Sequence, residues 1–160
     1  MIDSLVYKIV PYGRLKVAPQ PLSKMLSYQQ HQHDVTESGG LVAGRYLLDC
    51  DDIVIDVVTV PMKGDIQERY FFKKNAINHQ RLLEMHWKQS KGTCNYIGDW
   101  HTHPEPIPHP SSHDCDQWLK VLKETKTDQV FIFFIVVGTQ QVRIWQGFRK
   151  SGKIREIFLE

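Results

Sequence analysis

His101-Thr102-His103-Pro104 and Ser111-Ser112-His113-Asp114 place three metal-ligand side chains and a hydroxyl in one short stretch of chain. On an extended segment, residues i and i+2 point to the same side. Both imidazoles therefore reach one ion while Thr102 faces away, and Asp114 brings an oxygen as third ligand. Three protein ligands leave the fourth tetrahedral position of Zn²⁺ to water, the pattern of a catalytic rather than a structural zinc. Prolines stiffen the connection Glu105-Pro106-Ile107-Pro108-His109-Pro110, which must return the chain to the same ion. Ser-x-x-Asp ahead of an apolar run is also a helix capping box. Cys115, Trp118, Leu119 and Leu122 follow at helical spacing, so Asp114 is expected to present its carboxylate from the first turn of a helix capped by Ser111 or Ser112.

Amide hydrolysis at such a centre needs a group that takes a proton from water and delivers it to the departing amine. Glu105 is nearest in sequence to the histidines but reads as an exposed charge in the proline-restrained loop. Glu84 has polar neighbours within a helix and reads as solvated. Glu37 precedes Ser38-Gly39-Gly40 and Leu41-Val42-Ala43-Gly44, whose glycines let backbone approach a substrate or a strand closely; a turn before a strand has the same look. Spacing alone leaves the three glutamates in competition. Asp99 shares the parity of His101 and His103 and is a candidate to orient an imidazole. His109 and His113 read as loop groups, and His79 and His86 as packing or surface residues. The tryptophans read as core, with Trp100 the exception to watch because it adjoins the ligand pair.

The elements that must position these groups follow from apolar patterning. Ile53 to Val60 and Val130 to Val137 are short β-branched runs, expected as strands shielded on both faces. Gln141 to Phe148 and Lys153 to Leu159 alternate around Lys150-Ser151-Gly152, a hairpin at the C-terminal edge. Helices are expected over Pro21 to Gln32, over Lys74 to Ser90 with Ala76, Leu83 and Trp87 on one stripe, and from about Ser112 to Glu124. Helices alternating with strands, without repeats or a linker, predict an α/β sandwich around a mixed, mostly antiparallel sheet. A chain of 160 residues suits one domain spanning 1–160 that buries roughly 70% of its unfolded surface. A net charge of +2 with scattered lysines and arginines argues against a nucleic-acid surface. Cys50, Cys94 and Cys115 are odd in number and far apart, which indicates neither a disulfide framework nor a thiolate zinc site. With no signal-peptide pattern at Met1-Ile2-Asp3-Ser4 and no apolar run of membrane-spanning length, the expected setting is the cytoplasm.

Glu37-Ser38-Gly39-Gly40 upstream of Gly98-Asp99-Trp100-His101-Thr102-His103-Pro104 and Ser111-Ser112-His113-Asp114 resembles the JAMM, or MPN-plus, metallopeptidase family. Its pattern is a glutamate, then His-x-His-Pro, then Ser-x-x-Asp. The resemblance implies that family's three-layer α-β-α sandwich, akin to cytidine deaminases. It further implies one zinc per chain on His101, His103 and Asp114, Glu37 as general acid/base, and Ser111 as donor to the oxyanion. The compact form is most similar to bacterial JAB-type deconjugating peptidases, including those of CBASS antiphage operons. The implied activity is hydrolysis of the bond after the C-terminus of a ubiquitin-like protein or a CD-NTase joined to a target. Two other readings stay beside it: a noncatalytic MPN-type interaction module, and a JAB peptidase that processes a sulfur-carrier or ubiquitin-like precursor. A PHP-type phosphoesterase is set aside because its remaining ligands need more chain than follows Asp114. A zinc deaminase is set aside because its Pro-Cys-x-x-Cys element is missing.

Overall fold

In the computed structural model, which describes residues 2–160, the strands form one eight-stranded sheet and one short hairpin. The chain runs β1 (Leu5–Lys8), β2 (Arg14–Val17), α1 (Pro19–Leu26), β3 (Gly39–Tyr46), β4 (Ile53–Val58), β5 (Ile66–Glu68), β6 (Phe71–Lys73), α2 (Ala76–Gln89), β7 (Asn95–Thr102), α3 (Ser112–Glu124), β8 (Phe131–Val137), β9 (Val142–Phe148) and β10 (Ile154–Ile157). The sheet order is β1-β2-β4-β3-β7-β8-β9-β10, with β5 and β6 paired separately. Pairing is parallel between β2 and β4 and between β7 and β8, and antiparallel at the other steps. This is the mixed, mostly antiparallel sheet that the patterning predicts.

Strand β8 separates two cores. Phe133, Ile135 and Val137 face Leu22 and Met25 of α1, whereas Ile132, Phe134 and Val136 face Trp118 and Leu122 of α3. Helices thus lie on opposite faces of the sheet, giving three layers. The sheet also curls until its edges meet. Lys8 N–H donates to the Phe158 carbonyl at 2.9 Å and Glu160 N–H to the Val6 carbonyl at 2.9 Å. Inside the curl, the Tyr7 hydroxyl donates to the Val142 carbonyl at 2.7 Å.

Several expectations shift. Helix α1 starts at Pro19, where proline suits the first turn, and ends at Leu26 rather than Gln32. Beyond it, Gln29 Nε2 donates to the Gly138 carbonyl and Gln30 Nε2 to the Val35 and Arg69 carbonyls. Those contacts hold the chain out of the helix. On α2, His79 is buried and Leu83 and His86 are half-buried, while Ala76 and Trp87 face solvent, Trp87 at 50% exposure; the stripe facing the protein is therefore not the expected one. Strand β8 is buried on both faces as expected, but β4 is half-covered on one. The strand between β4 and β7 is the glycine-rich β3. A Cβ on Gly40 would lie 2.2 Å from the Thr59 carbonyl oxygen, and one on Gly39 2.5 Å from that of Trp100. These glycines admit neighbouring backbone, not substrate.

Candidate metal centre and hydrolytic cleft

A β-bulge sets which way β7 presents its side chains. Val42 of β3 pairs with Gly98 and Ala43 with Tyr96, so Ile97 is the extra residue. Past the bulge, Trp100 and Thr102 point to the α1 side and Asp99 and His101 to the α3 side. Trp100 is buried in the first core, its indole N–H donating to the Thr59 carbonyl at 2.8 Å, so it is no substrate platform. His101 lies edge-on to Trp118 of α3, ring centroids 6.4 Å apart. The chain continues extended, with His103 N–H donating to the Val137 carbonyl at 3.0 Å, which brings the second imidazole to the same side.

Helix α3 supplies the third donor. Its N-cap is Ser111, not Ser112: Ser111 Oγ accepts the Asp114 N–H at 3.0 Å and Asp114 Oδ2 accepts the Ser111 N–H at 2.9 Å. The reciprocal bonds aim the Asp114 carboxylate out of the first turn. His101 Nε2 and His103 Nε2 are 3.0 Å apart, and Asp114 Oδ2 is 3.3 Å from the first and 3.1 Å from the second. Tetrahedral zinc with bonds of 2.0–2.2 Å sets its ligand atoms about 3.3–3.6 Å from one another, within a few tenths of an ångström of these separations. The donor set, two imidazoles and a carboxylate, is also one that zinc takes in hydrolytic sites. The residues fit the ion.

Glu37 completes the cluster at the head of β3. Its carboxylate reaches within 3.5 Å of His103 Nε2, and with His101 and His103 it forms a group of ligand atoms within 4.8 Å of one another. Backbone contacts place it: Glu37 N–H donates to the Glu68 carbonyl at 2.7 Å, and Gln67 Nε2 donates to the Glu37 carbonyl at 3.2 Å. The next residue is tied to β7, with Ser38 N–H donating to Thr102 Oγ1 at 2.9 Å and the Thr102 hydroxyl donating to Gln30 Oε1 at 2.9 Å. Burial pushes the Glu37 carboxyl up to about 8, an effect that His103 opposes and Asp114 reinforces. Burial alone would lower His103, but hydrogen bonds to Asp114 and Glu105 hold it up at about 9. Asp114 is driven far below the usual carboxylate range although burial opposes this, because both imidazoles and the Ser111 N–H bind its ionised form. A metal bound here would displace the His103 proton and favour the ionised form of Glu37.

The cluster opens into a cleft of about 390 Å³ between β6 with the start of α2 and the first turns of α3. Phe71 and His113 face each other across it, ring centroids 5.3 Å apart. Ser111 lines the cleft, and since its oxygen accepts from Asp114 N–H, its own proton stays free to donate. The remaining candidates separate. Asp99 meets Lys74 at 3.5 Å and the Tyr96 hydroxyl at 3.3 Å, not an imidazole. Glu84 is exposed on α2, and His109 is exposed in the proline loop. His79 is buried between Thr59 Oγ1 at 2.6 Å and Asp65 Oδ2 at 2.8 Å. Glu105 is not a free charge: its Oε1 accepts from His103 Nδ1 at 3.1 Å and from His109 N–H at 2.8 Å. Pro104 to Ile107 form bends, so the two-residue spacing from His103 carried no signal of this contact.

Comparison with known proteins decides the family. The family described as prokaryotic homologs of the JAB domain matches residues 19–147. The chain belongs to that family. The resemblance carried by Glu37, His101, His103, Ser111 and Asp114 is borne out at that level. This JAB domain is 29% identical over 141 residues to a CD-NTase/cGAS isopeptidase of Escherichia coli (strain TW11681), covering 88% of this chain and 85% of that protein. It is 30% identical over 125 residues to a protein of the same description from Pseudomonas aeruginosa (strain BWHPSA011 / Pa011), covering 76% and 77%. Its fold matches the solution structure of a protein from Desulfitobacterium hafniense with a TM-score of 0.60 at 18% identity, covering 88% of this chain and 87% of that one. Among the described residues no helix is long and apolar enough to cross a membrane.

Proposed function

We propose that this JAB domain is a zinc-dependent isopeptidase that hydrolyses the bond joining the C-terminus of a CD-NTase-type protein to its target, as expected in CBASS antiphage defence. The observation that carries the reading is the triangle of His101 Nε2, His103 Nε2 and Asp114 Oδ2, with sides of 3.0 to 3.3 Å, set beside a buried glutamate in an open cleft. The relatives described as CD-NTase/cGAS isopeptidases support the substrate class.

Zinc held by the three ligands supplies a Lewis acid that polarises the scissile carbonyl and acidifies water. The protein's own groups handle the protons. Glu37, buried beside His103 Nε2, takes a proton from the attacking water and returns it to the departing lysine amine, leaving a carboxylate and a free amine. The Ser111 hydroxyl, its lone pair engaged by Asp114 N–H, donates to the carbonyl oxygen as negative charge develops there. The folded body of the CD-NTase-type protein supplies most of the binding energy, with its extended C-terminal tail lying in the cleft.

The test is cleavage of a CD-NTase joined through its C-terminus to a target protein, with the cut located by mass spectrometry. Cleavage at that bond, lost with EDTA and restored by zinc, is expected, together with a lower kcat/KM for a peptide carrying the same bond. No cleavage, or cleavage that survives in a His101→Ala, His103→Ala double variant, overturns the reading.

A further inference from the structure

We propose that Glu105 is the positioning residue of His103, and that through it the proline loop sets the ring that completes the ligand triangle. The inference rests on the zinc reading above. Glu105 Oε1 lies 3.1 Å from His103 Nδ1, so a ring that gives Nε2 to a metal keeps its proton on Nδ1 and donates it to Glu105; that Nε2 is 3.0 Å from His101 Nε2 and 3.1 Å from Asp114 Oδ2. A ring flip would break that bond and turn carbon towards the cluster. An acceptor on the far nitrogen both chooses the tautomer and makes the ligating nitrogen more basic.

The carboxylate comes to this place by construction. The Glu105 carbonyl accepts Thr139 N–H at 2.9 Å, and the Pro106 carbonyl accepts from Gln140 and Gln141 at 3.2 and 3.1 Å, all in the turn between β8 and β9. Arg143, which forks onto Glu156, donates to the Pro108 carbonyl at 3.0 Å. A Cβ on Gly138 would stand 2.6 Å from the Glu105 carbonyl oxygen, so the turn is shaped to the loop. His101 is held otherwise, by its packing against Trp118. Glu105 approaches His103 through Nδ1, whereas Glu37 and Asp114 approach through Nε2. It therefore acts through the ring and not on the reacting atoms.

The experiment measures zinc affinity by competition with a chromophoric chelator in the wild type, Glu105→Ala, Glu105→Asp and Glu105→Gln, with the thermal midpoint of each zinc-free protein. Histidine side-chain ¹⁵N spectra of the same proteins report the His103 tautomer. Glu105→Ala is expected to weaken zinc binding by roughly 10- to 100-fold and to mix the His103 tautomers. Glu105→Gln keeps an acceptor oxygen and is expected to retain most of the affinity and the Nδ1–H form. Glu105→Asp keeps the charge but is too short to reach both His103 and His109, and should resemble the alanine variant. If the alanine variant does not fold, the aspartate and glutamine variants decide. Alanine or aspartate affinity within about twofold of wild type overturns the proposal, as does glutamine binding as weakly as alanine. A wild type that takes no zinc overturns the zinc reading and this proposal together; a wild type that binds zinc indifferently to residue 105 overturns this proposal alone.

Discussion

At the residue scale the proposed reaction assigns holding the metal and moving protons to different residues. Glu37 stands outside the ligand triangle, 3.5 Å from His103 Nε2. Glu37→Ala should therefore keep zinc stoichiometry and fold while losing turnover by about 10² or more; metal analysis beside kcat measures both, and near-normal turnover would remove Glu37 from the reaction. Ser111 carries two tasks, since the same hydroxyl caps α3 and faces the cleft. Ser111→Ala is expected to cost about 1 kcal/mol of stability as a lost cap and roughly 10² to 10³ in kcat as a lost oxyanion donor. Ser111→Gly separates the tasks, because glycine at an N-cap costs only a few tenths of a kcal/mol but donates nothing. Its urea midpoint should stay near that of the wild type while kcat falls as in the alanine variant. Ser112→Ala, exposed and outside the cap, should shift stability by less than about 0.5 kcal/mol.

Among the elements, α2 is tied to the strands by polar groups. His79 spans Thr59 and Asp65, and Asp65 also accepts the N–H groups of Met62 and Asn75 at 2.9 and 2.7 Å. Removing the imidazole in His79→Ala leaves Thr59 and Asp65 short of a buried partner, at roughly 1–3 kcal/mol for each group left unsatisfied. Urea unfolding should show a loss of that size with zinc content intact. The pair also predicts an acid limb. Burial would raise the Asp65 carboxyl, but the Asn75 and Met62 N–H bonds and His79 outweigh it and hold it below its ordinary value. A carboxyl lowered on folding contributes stability fully above its unfolded value of about 3.9, and that contribution is lost as pH falls through the folded value. Asp65→Asn should be less stable at pH 7 and should lose less than the wild type below about pH 4. Equal acid slopes for the two proteins would discard the pair as a source of acid sensitivity.

For the whole molecule, one ion would join β7 to α3, elements from opposite sides of the proline loop. A ligand bound only by the folded state stabilises it by about 2.7 kcal/mol at 100 times its Kd. EDTA should therefore lower the thermal midpoint by several degrees, and zinc should not shift the midpoint of a His101→Ala, His103→Ala variant. The chemistry of this site was legible in the chain because it is local: the alternation of His101 and His103 and the Ser111-to-Asp114 spacing follow from the periods of strand and helix alone. The same holds for α3, for β8 and for the hairpin of β9 and β10, whose patterns agree with their surroundings. Other features depended on partners distant in sequence. Helix α1 stops at Leu26 because Gln29 and Gln30 find carbonyls at Gly138 and Arg69, and glycine-rich β3 is a strand because Thr59 and Trp100 backbone fills the space its missing side chains leave. Spacing left Glu37, Glu105 and Glu84 in competition and only the family resemblance singled out Glu37; the fold places it beside His103 Nε2, Glu105 behind Nδ1 and Glu84 in solvent. Residue type and spacing determined which groups are able to bind zinc and transfer protons; only the tertiary structure decided which carboxylate stands where, because hydrogen bonds and burial between remote segments set those positions.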